Sequence, residues 1–93
     1  MNHNYTVFID KNRFYLGEDK LIGEITYYEN EDGQIVVDHT YVNPEYRGQN
    51  LGKILVDAVV KHANKENKKI IPLCPYVEKV FSRNSDYDYI WFK

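Results

Sequence analysis

Apolar residues recur at every second position through the first half of the chain, and at intervals of three and four after Pro44. Tyr5–Ile9 and Arg13–Leu16 are short β-prone runs, separated by the turn residues Asp10, Lys11 and Asn12 and closed by Gly17, Glu18 and Asp19. Over Leu21–Tyr28, the residues Leu21, Gly23, Ile25 and Tyr27 share one strand face. Asn30-Glu31-Asp32-Gly33 marks a hairpin turn, because Asp-Gly tolerates the positive φ such turns need. Ile35–Val42 is the return strand. Strict alternation puts Ile35, Val37, His39 and Tyr41 on one of its faces and Val36, Asp38, Thr40 and Val42 on the other.

Beyond Pro44, the residues Leu51, Leu55, Ala58, Val59 and His62 form a helical stripe that Val56, Val60 and Ala63 widen, with Lys53, Asp57, Lys61 and Lys65 on the wet side. The spacing predicts a helix from about Gly48 to Asn67. Lys69–Leu73 then reads as a short buried strand fenced by Pro72 and Pro75. Tyr76–Arg83 reads as a second helix, and Asp86–Phe92 as a last aromatic strand segment. This order predicts a mixed α/β sheet in a single domain, residues 1–93. Antiparallel N-terminal strands are followed by a strand–helix–strand crossover that adds a parallel neighbour. Ligands enter such sheets at the carboxyl ends of strands, where the pairing changes.

Composition narrows the picture by exclusion. The chain has 93 residues, 43% of them hydrophobic and 15% aromatic, which suits one packed domain. Its formal charge of −2 disfavours general nucleic-acid binding. A single cysteine excludes an internal disulfide and argues against a structural metal. No apolar run approaches the roughly 18–20 residues that span a bilayer, and the N-terminus lacks the apolar core of a secretory signal. A cytoplasmic monomer with no metal, membrane or nucleic-acid partner is expected.

The stretch Tyr46-Arg47-Gly48-Gln49-Asn50-Leu51-Gly52-Lys53 stands between strand and helix. The first turn of a helix offers N–H groups with no intrahelical partner, together with the positive end of the dipole. An anion held there needs little side chain in its way, which Gly48 and Gly52 provide, and local charge, which Arg47 and Lys53 supply. A bare strand-to-helix turn whose glycines relieve crowding has the same composition.

The longer stretch TYVNPEYRGQNLGKILVDAVVKHA resembles the acyl-CoA signature of the GNAT superfamily of acetyltransferases, Gln/Arg-x-x-Gly-x-Gly/Ala between the fourth strand and its following helix. Arg47 fills the first position and Gly52 the last; Asn50 stands in the middle, where the family usually has glycine. The resemblance implies a GNAT-like acyl-CoA N-acyltransferase fold. It implies that Arg47, Gly48, Gln49, Asn50, Leu51, Gly52 and Lys53 hold the diphosphate of acetyl-CoA or coenzyme A. It also implies that the backbone of Thr40, Tyr41 and Val42 pairs with the pantetheine arm. The activity implied is acetyl transfer to an amine acceptor. The superfamily's N-terminal helices, which wall the acceptor side, have no counterpart here, which leaves room for a peptide or protein acceptor. In length the chain is similar to a minimal stand-alone subfamily with a His-Thr pair on the fourth strand and Pro-x-Cys-x-Tyr after the fifth. His39-Thr40 and Pro72-Leu73-Cys74-Pro75-Tyr76 match both.

Amine acetylation needs a base, an oxyanion stabiliser and an acid for the departing thiolate. His39 is the candidate base, against the simpler reading of a strand histidine with its ring nitrogens satisfied. Cys74 is the candidate acyl acceptor or proton donor to sulfur, against that of an inert buried thiol. The superfamily's acid is a tyrosine in the helix after the fifth strand. Phe81 falls near that place and carries no hydroxyl, while Tyr76 comes a turn or more too early. His62 is expected to pack, His3 to lie in the terminus, and Glu29, Glu31 and Asp32 to be a solvated hairpin tip. Tyr87, Tyr89, Trp91 and Phe92 are expected to close the core. Two rivals lack catalysis: an acyl-CoA-binding sensor or accessory module, and an interaction domain that has lost the ligand.

Overall fold

The computed structural model describes residues 5–93; His3 lies outside them. One five-stranded sheet runs in sequence order, β1 (Phe8–Asp10), β2 (Arg13–Leu16), β3 (Gly23–Glu29), β4 (Ile35–Val42) and β5 (Ile70–Pro72). The first three pairings are antiparallel and β4–β5 is parallel. Helix α1 (Leu51–Lys65) makes the crossover, and α2 (Pro75–Arg83) follows β5. The β3–β4 turn forms as its residues dictate. Asn30 Oδ1 accepts from the N–H groups of Asp32 and Gln34, and Gly33 takes φ +84°.

α1 starts three residues later than the expected Gly48, at the first residue of its apolar stripe. Gly48 (φ +86°) and Asn50 (φ +62°) both sit in the left-handed region, so no right-handed turn can include them, and the helix begins at Leu51. It ends at Lys65, two residues short of the expected Asn67, because Asn67 turns left-handed (φ +57°) and the Lys68 N–H donates back to the Ala63 carbonyl. The last aromatic segment is not a full strand. Asn84 caps a 3-10 turn over Ser85–Tyr87, and only Trp91 bridges β5, parallel to Ile70. Three turn-forming residues, Asn84, Ser85 and Asp86, outweigh the aromatic β-propensity that follows.

Both helices pack on one face of the sheet. Leu51, Leu55, Val56, Val59 and Ala63 of α1 and Val77 and Phe81 of α2 join Phe14, Leu16, Ile25, Tyr27, Ile35, Val37 and Ile70 in a single core. His62 belongs to that packing, its ring 5.7 Å from Phe14 and 5.4 Å from Tyr27. The opposite face carries Tyr15, Glu24, Thr26, Tyr28, His39 and Tyr41, all partly or wholly exposed.

Burial pushes the phenols of Tyr27 and Tyr87 up from their ordinary value, with Asp57 adding to the effect at Tyr87. A raised folded-state pKa means the unfolded chain loses these protons first as pH rises. Stability is therefore expected to be unaffected by these groups below about pH 10 and to fall above it. Chemical denaturation midpoints at pH 8, 10 and 11 check this, and Tyr87→Phe should flatten the alkaline fall.

Candidate active site

The site begins where two parallel strands part. β4 and β5 pair only through Ile35–Ile70, Val36–Ile71 and Val37–Pro72. β5 then turns away, the Leu73 N–H donating to the Ile71 carbonyl, while β4 runs on from Asp38 to Val42. Among the described residues no strand flanks that extension on the β5 side. It therefore offers main-chain donors and acceptors to an extended ligand, in the manner of strand addition.

A β-bulge decides which side chains flank this opening. Register steps from Thr26–His39 to Tyr27–Val37, leaving Asp38 as an extra residue on β4. Thr40 pairs with Ile25, and Val42 with Gly23, so both join Val37 on the helix face. His39 pairs with Thr26, and Tyr41 with Glu24, on the open face. The sheet faces expected from strict alternation are thus exchanged beyond Val37. An inserted residue shifts a period of two by one step, and Asp38 alone does not announce it. Thr26 Oγ1 donates to the Asp38 carboxylate at 2.5 Å, which ties the bulge across to β3.

On the helix side a cleft of about 330 Å³ is lined by Thr40, Val42, Tyr46, Arg47, Gly48, Asn50, Leu51, Gly52 and Tyr76. It joins the β4 extension to the first turn of α1. Asn50 gives no side-chain cap there, so the leading N–H groups of α1 have no partner of that kind. A Cβ built on Gly48 would meet nothing within 4 Å, so the approach is open. Arg47 is exposed at the mouth and forms no ion pair among the described residues, whereas Lys20 is held by Glu45. That pairing raises the Lys20 ammonium and lowers the Glu45 carboxyl.

Two residues expected in the anion site turn elsewhere. The Lys53 ammonium lies along the helix, 3.2 Å from Asp57 and over the Tyr87 ring, which leaves its main-chain N–H as its contribution to the entrance. Gln49 Oε1 accepts from the Tyr5 hydroxyl at 2.6 Å. Sequence reasoning undervalued Tyr76, which reaches the cleft from the first turn of α2; its partial burial pushes the phenol up, with Lys53 pulling the other way.

Cys74 lies behind the cleft residue Thr40. It precedes α2, is 6% exposed, and its thiol donates to Thr40 Oγ1 at 3.5 Å. Its N–H donates to the Val37 carbonyl at 2.9 Å, which fixes the thiol beside the point where the strands part. Cys74 and Thr40 therefore stand on one side of the β4 extension and His39 on the other. Phe81, near the superfamily's acid position, is buried and stacked on Tyr87 at 5.0 Å. Among the described residues no group of three or more His, Cys, Asp or Glu side chains could hold a metal ion. No helix among them is long and apolar enough to cross a membrane.

Residues 13–90 match a family model described as GCN5-related N-acetyl-transferase. An NMR solution structure of a GCN5-like protein from Staphylococcus aureus superposes with a TM-score of 0.82 at 34% identity, over 96% of this chain and 89% of that one. Two further likenesses are of fold. A ribosomal-protein-alanine N-acetyltransferase from Brucella melitensis biovar Abortus gives a TM-score of 0.55 at 24% identity, over 80% of this chain and 64% of its own. An integron cassette protein from the mobile metagenome of Cole Harbour Salt Marsh gives 0.57 at 22% identity, over 76% of this chain and 49% of its own. No curated protein matches it.

Proposed function

We propose, for a chain that belongs to the GCN5-related N-acetyl-transferase family, that it moves an acetyl group from acetyl-CoA to an amine across the gap between β4 and β5. Family and fold support acyl transfer in general; the cofactor and the residue roles are the proposal. One observation carries it: a single cleft connects the uncapped entrance of α1 to the unpaired extension of β4 and ends near a thiol.

The diphosphate takes the free N–H groups ahead of and within the first turn of α1, with Arg47 adding charge. The arm lies along Thr40–Val42 and delivers the thioester toward Cys74 and Thr40. The acceptor arrives from the open face, where His39 stands. Its nitrogen attacks the thioester carbonyl, His39 takes the ammonium proton, the C–S bond breaks, and the coenzyme leaves as a thiolate that takes up a proton. The Cys74 side chain stands on the sulfur's side of the strand and is the proposed donor of that proton. With no described helix over the open face, that side suits an amine carried on a peptide or protein.

Titration with acetyl-CoA, followed by turnover with a panel of amines and lysine peptides, tests the reading. Saturable binding with CoA release supports it; binding without release in any amine makes the protein a sensor or accessory module; no saturable binding overturns both. Arg47→Gln is expected to weaken acetyl-CoA binding about tenfold, the worth of one exposed charge-assisted contact to phosphate. An unchanged affinity would move the diphosphate away from this entrance.

A further inference from the structure

Gly52 ends the stretch that resembles the acyl-CoA signature, where the resemblance explains a small residue by close approach of the diphosphate. The two glycines of that stretch differ in what they make room for. Gly48 is demanded by its backbone, at φ +86°, and faces open space. Gly52 lies inside α1, where any L residue fits the backbone. What a Cβ at Gly52 would strike is another part of the protein. It would lie 2.5 Å from Tyr76 Oη, 2.8 Å from Cζ and 3.0 Å from Cε2. Such contacts are far inside van der Waals separation, so the ring or the helix would have to move.

Tyr76 comes from the first turn of α2, two residues after Cys74. Its ring therefore links the first turns of both helices, and with Val42 and Leu51 it forms the apolar part of the cleft wall. It is 40% exposed, so its outer side faces solvent. We infer that Tyr76 is a positioning residue that sets the width of the acyl-CoA cleft, and that Gly52 is small in order to seat its ring rather than to admit the diphosphate. The inference rests on the acyl-CoA reading of the cleft. A methyl at residue 52 displaces the ring into the path of the arm or away from it, and either way the arm loses its wall.

The test is a double-mutant cycle of wild type, Gly52→Ala, Tyr76→Ala and the double variant, with Tyr76→Phe as the conservative control. Thermal midpoints without ligand read the seating, and acetyl-CoA titration reads its consequence. Gly52→Ala alone should weaken binding about tenfold, yet change affinity less than about twofold once Tyr76 is alanine. Tyr76→Phe, which keeps the ring, should stay within about threefold of wild type, whereas Tyr76→Ala should lose about tenfold. Gly52→Ala should raise the midpoint in the Tyr76→Ala background, as alanine does in an uncrowded helix, and fail to raise it beside the tyrosine. Additive midpoints would show that the ring is not seated on Gly52 and overturn the inference. So would an equal loss of affinity from Gly52→Ala in both backgrounds, because the space then belongs to the diphosphate. If wild type binds no acetyl-CoA, the acyl-CoA reading fails by itself, and the midpoints alone decide whether Gly52 seats the ring.

Discussion

His39→Ala is expected to lower kcat for amine acetylation by about 10²–10⁴-fold, the usual worth of a positioned general base, while acetyl-CoA affinity stays within about twofold. The division of effects follows from the bulge at Asp38. His39 is turned to the open face, away from the cleft lined by Thr40, Val42 and Gly48. A residue there can meet an incoming amine without touching the coenzyme's diphosphate or arm. Its exposure makes the fold indifferent to the change, so the midpoint of unfolding should move by no more than about 0.5 kcal/mol equivalent. Steady-state kinetics beside titration separate the two effects, since a loss confined to kcat marks an interaction made in the transition state. Equal rates for wild type and variant would remove His39 from the chemistry. Intact-mass analysis after incubation with acetyl-CoA addresses Cys74 in parallel. An adduct abolished by Cys74→Ala would replace direct transfer with a covalent intermediate on that thiol.

The GNAT-like fold was legible because its signals are long. Three apolar residues and a glycine alternating over Leu21–Tyr28, with a stripe repeated over Leu51–Ala63, leave little choice of period, and Asp-Gly marks the hairpin between β3 and β4. What escaped were events one residue long. The extra Asp38 exchanges the faces of β4, yet it reads in sequence as an ordinary polar position after Ile35-Val36-Val37. Asn50, read as a departure from a glycine pattern, adopts the same left-handed conformation that glycine favours, at φ +62°. Asparagine reaches that region more readily than most residues. A left-handed backbone at residue 50 is therefore reached without a glycine. Partnerships between distant segments escaped as well. Nothing near Gln49 or Lys53 in the chain points to Tyr5 or Tyr87, and nothing near Gly52 points to Tyr76, because those contacts exist only once the helices are packed.

Phe81→Ala is expected to destabilise the domain by about 3–5 kcal/mol, a large part of the 5–15 kcal/mol that holds a protein of ordinary stability together. Phe81 is 1% exposed, stacked on Tyr87 at 5.0 Å and edge-on to Trp91 at 5.6 Å. It therefore fastens α2 to the chain's last segment, whose only β-bridge to the sheet among the described residues is Trp91 with Ile70. Removing the ring leaves a cavity between α2 and that segment. The first turn of α2 follows Cys74 and carries Tyr76, so the variant should also bind acetyl-CoA more weakly in whatever fraction stays folded. Urea unfolding measures the first effect and titration well below the midpoint the second. Phe81→Tyr separates packing from chemistry. It restores the hydroxyl expected of the superfamily's acid, but the ring does not line the cleft and its surroundings are aromatic. Burying an unpaired hydroxyl there costs about 1–3 kcal/mol and places no proton near the sulfur. Turnover of Phe81→Tyr above that of wild type would show that the cleft reaches Phe81 after all, and would return the acid to the position the superfamily gives it.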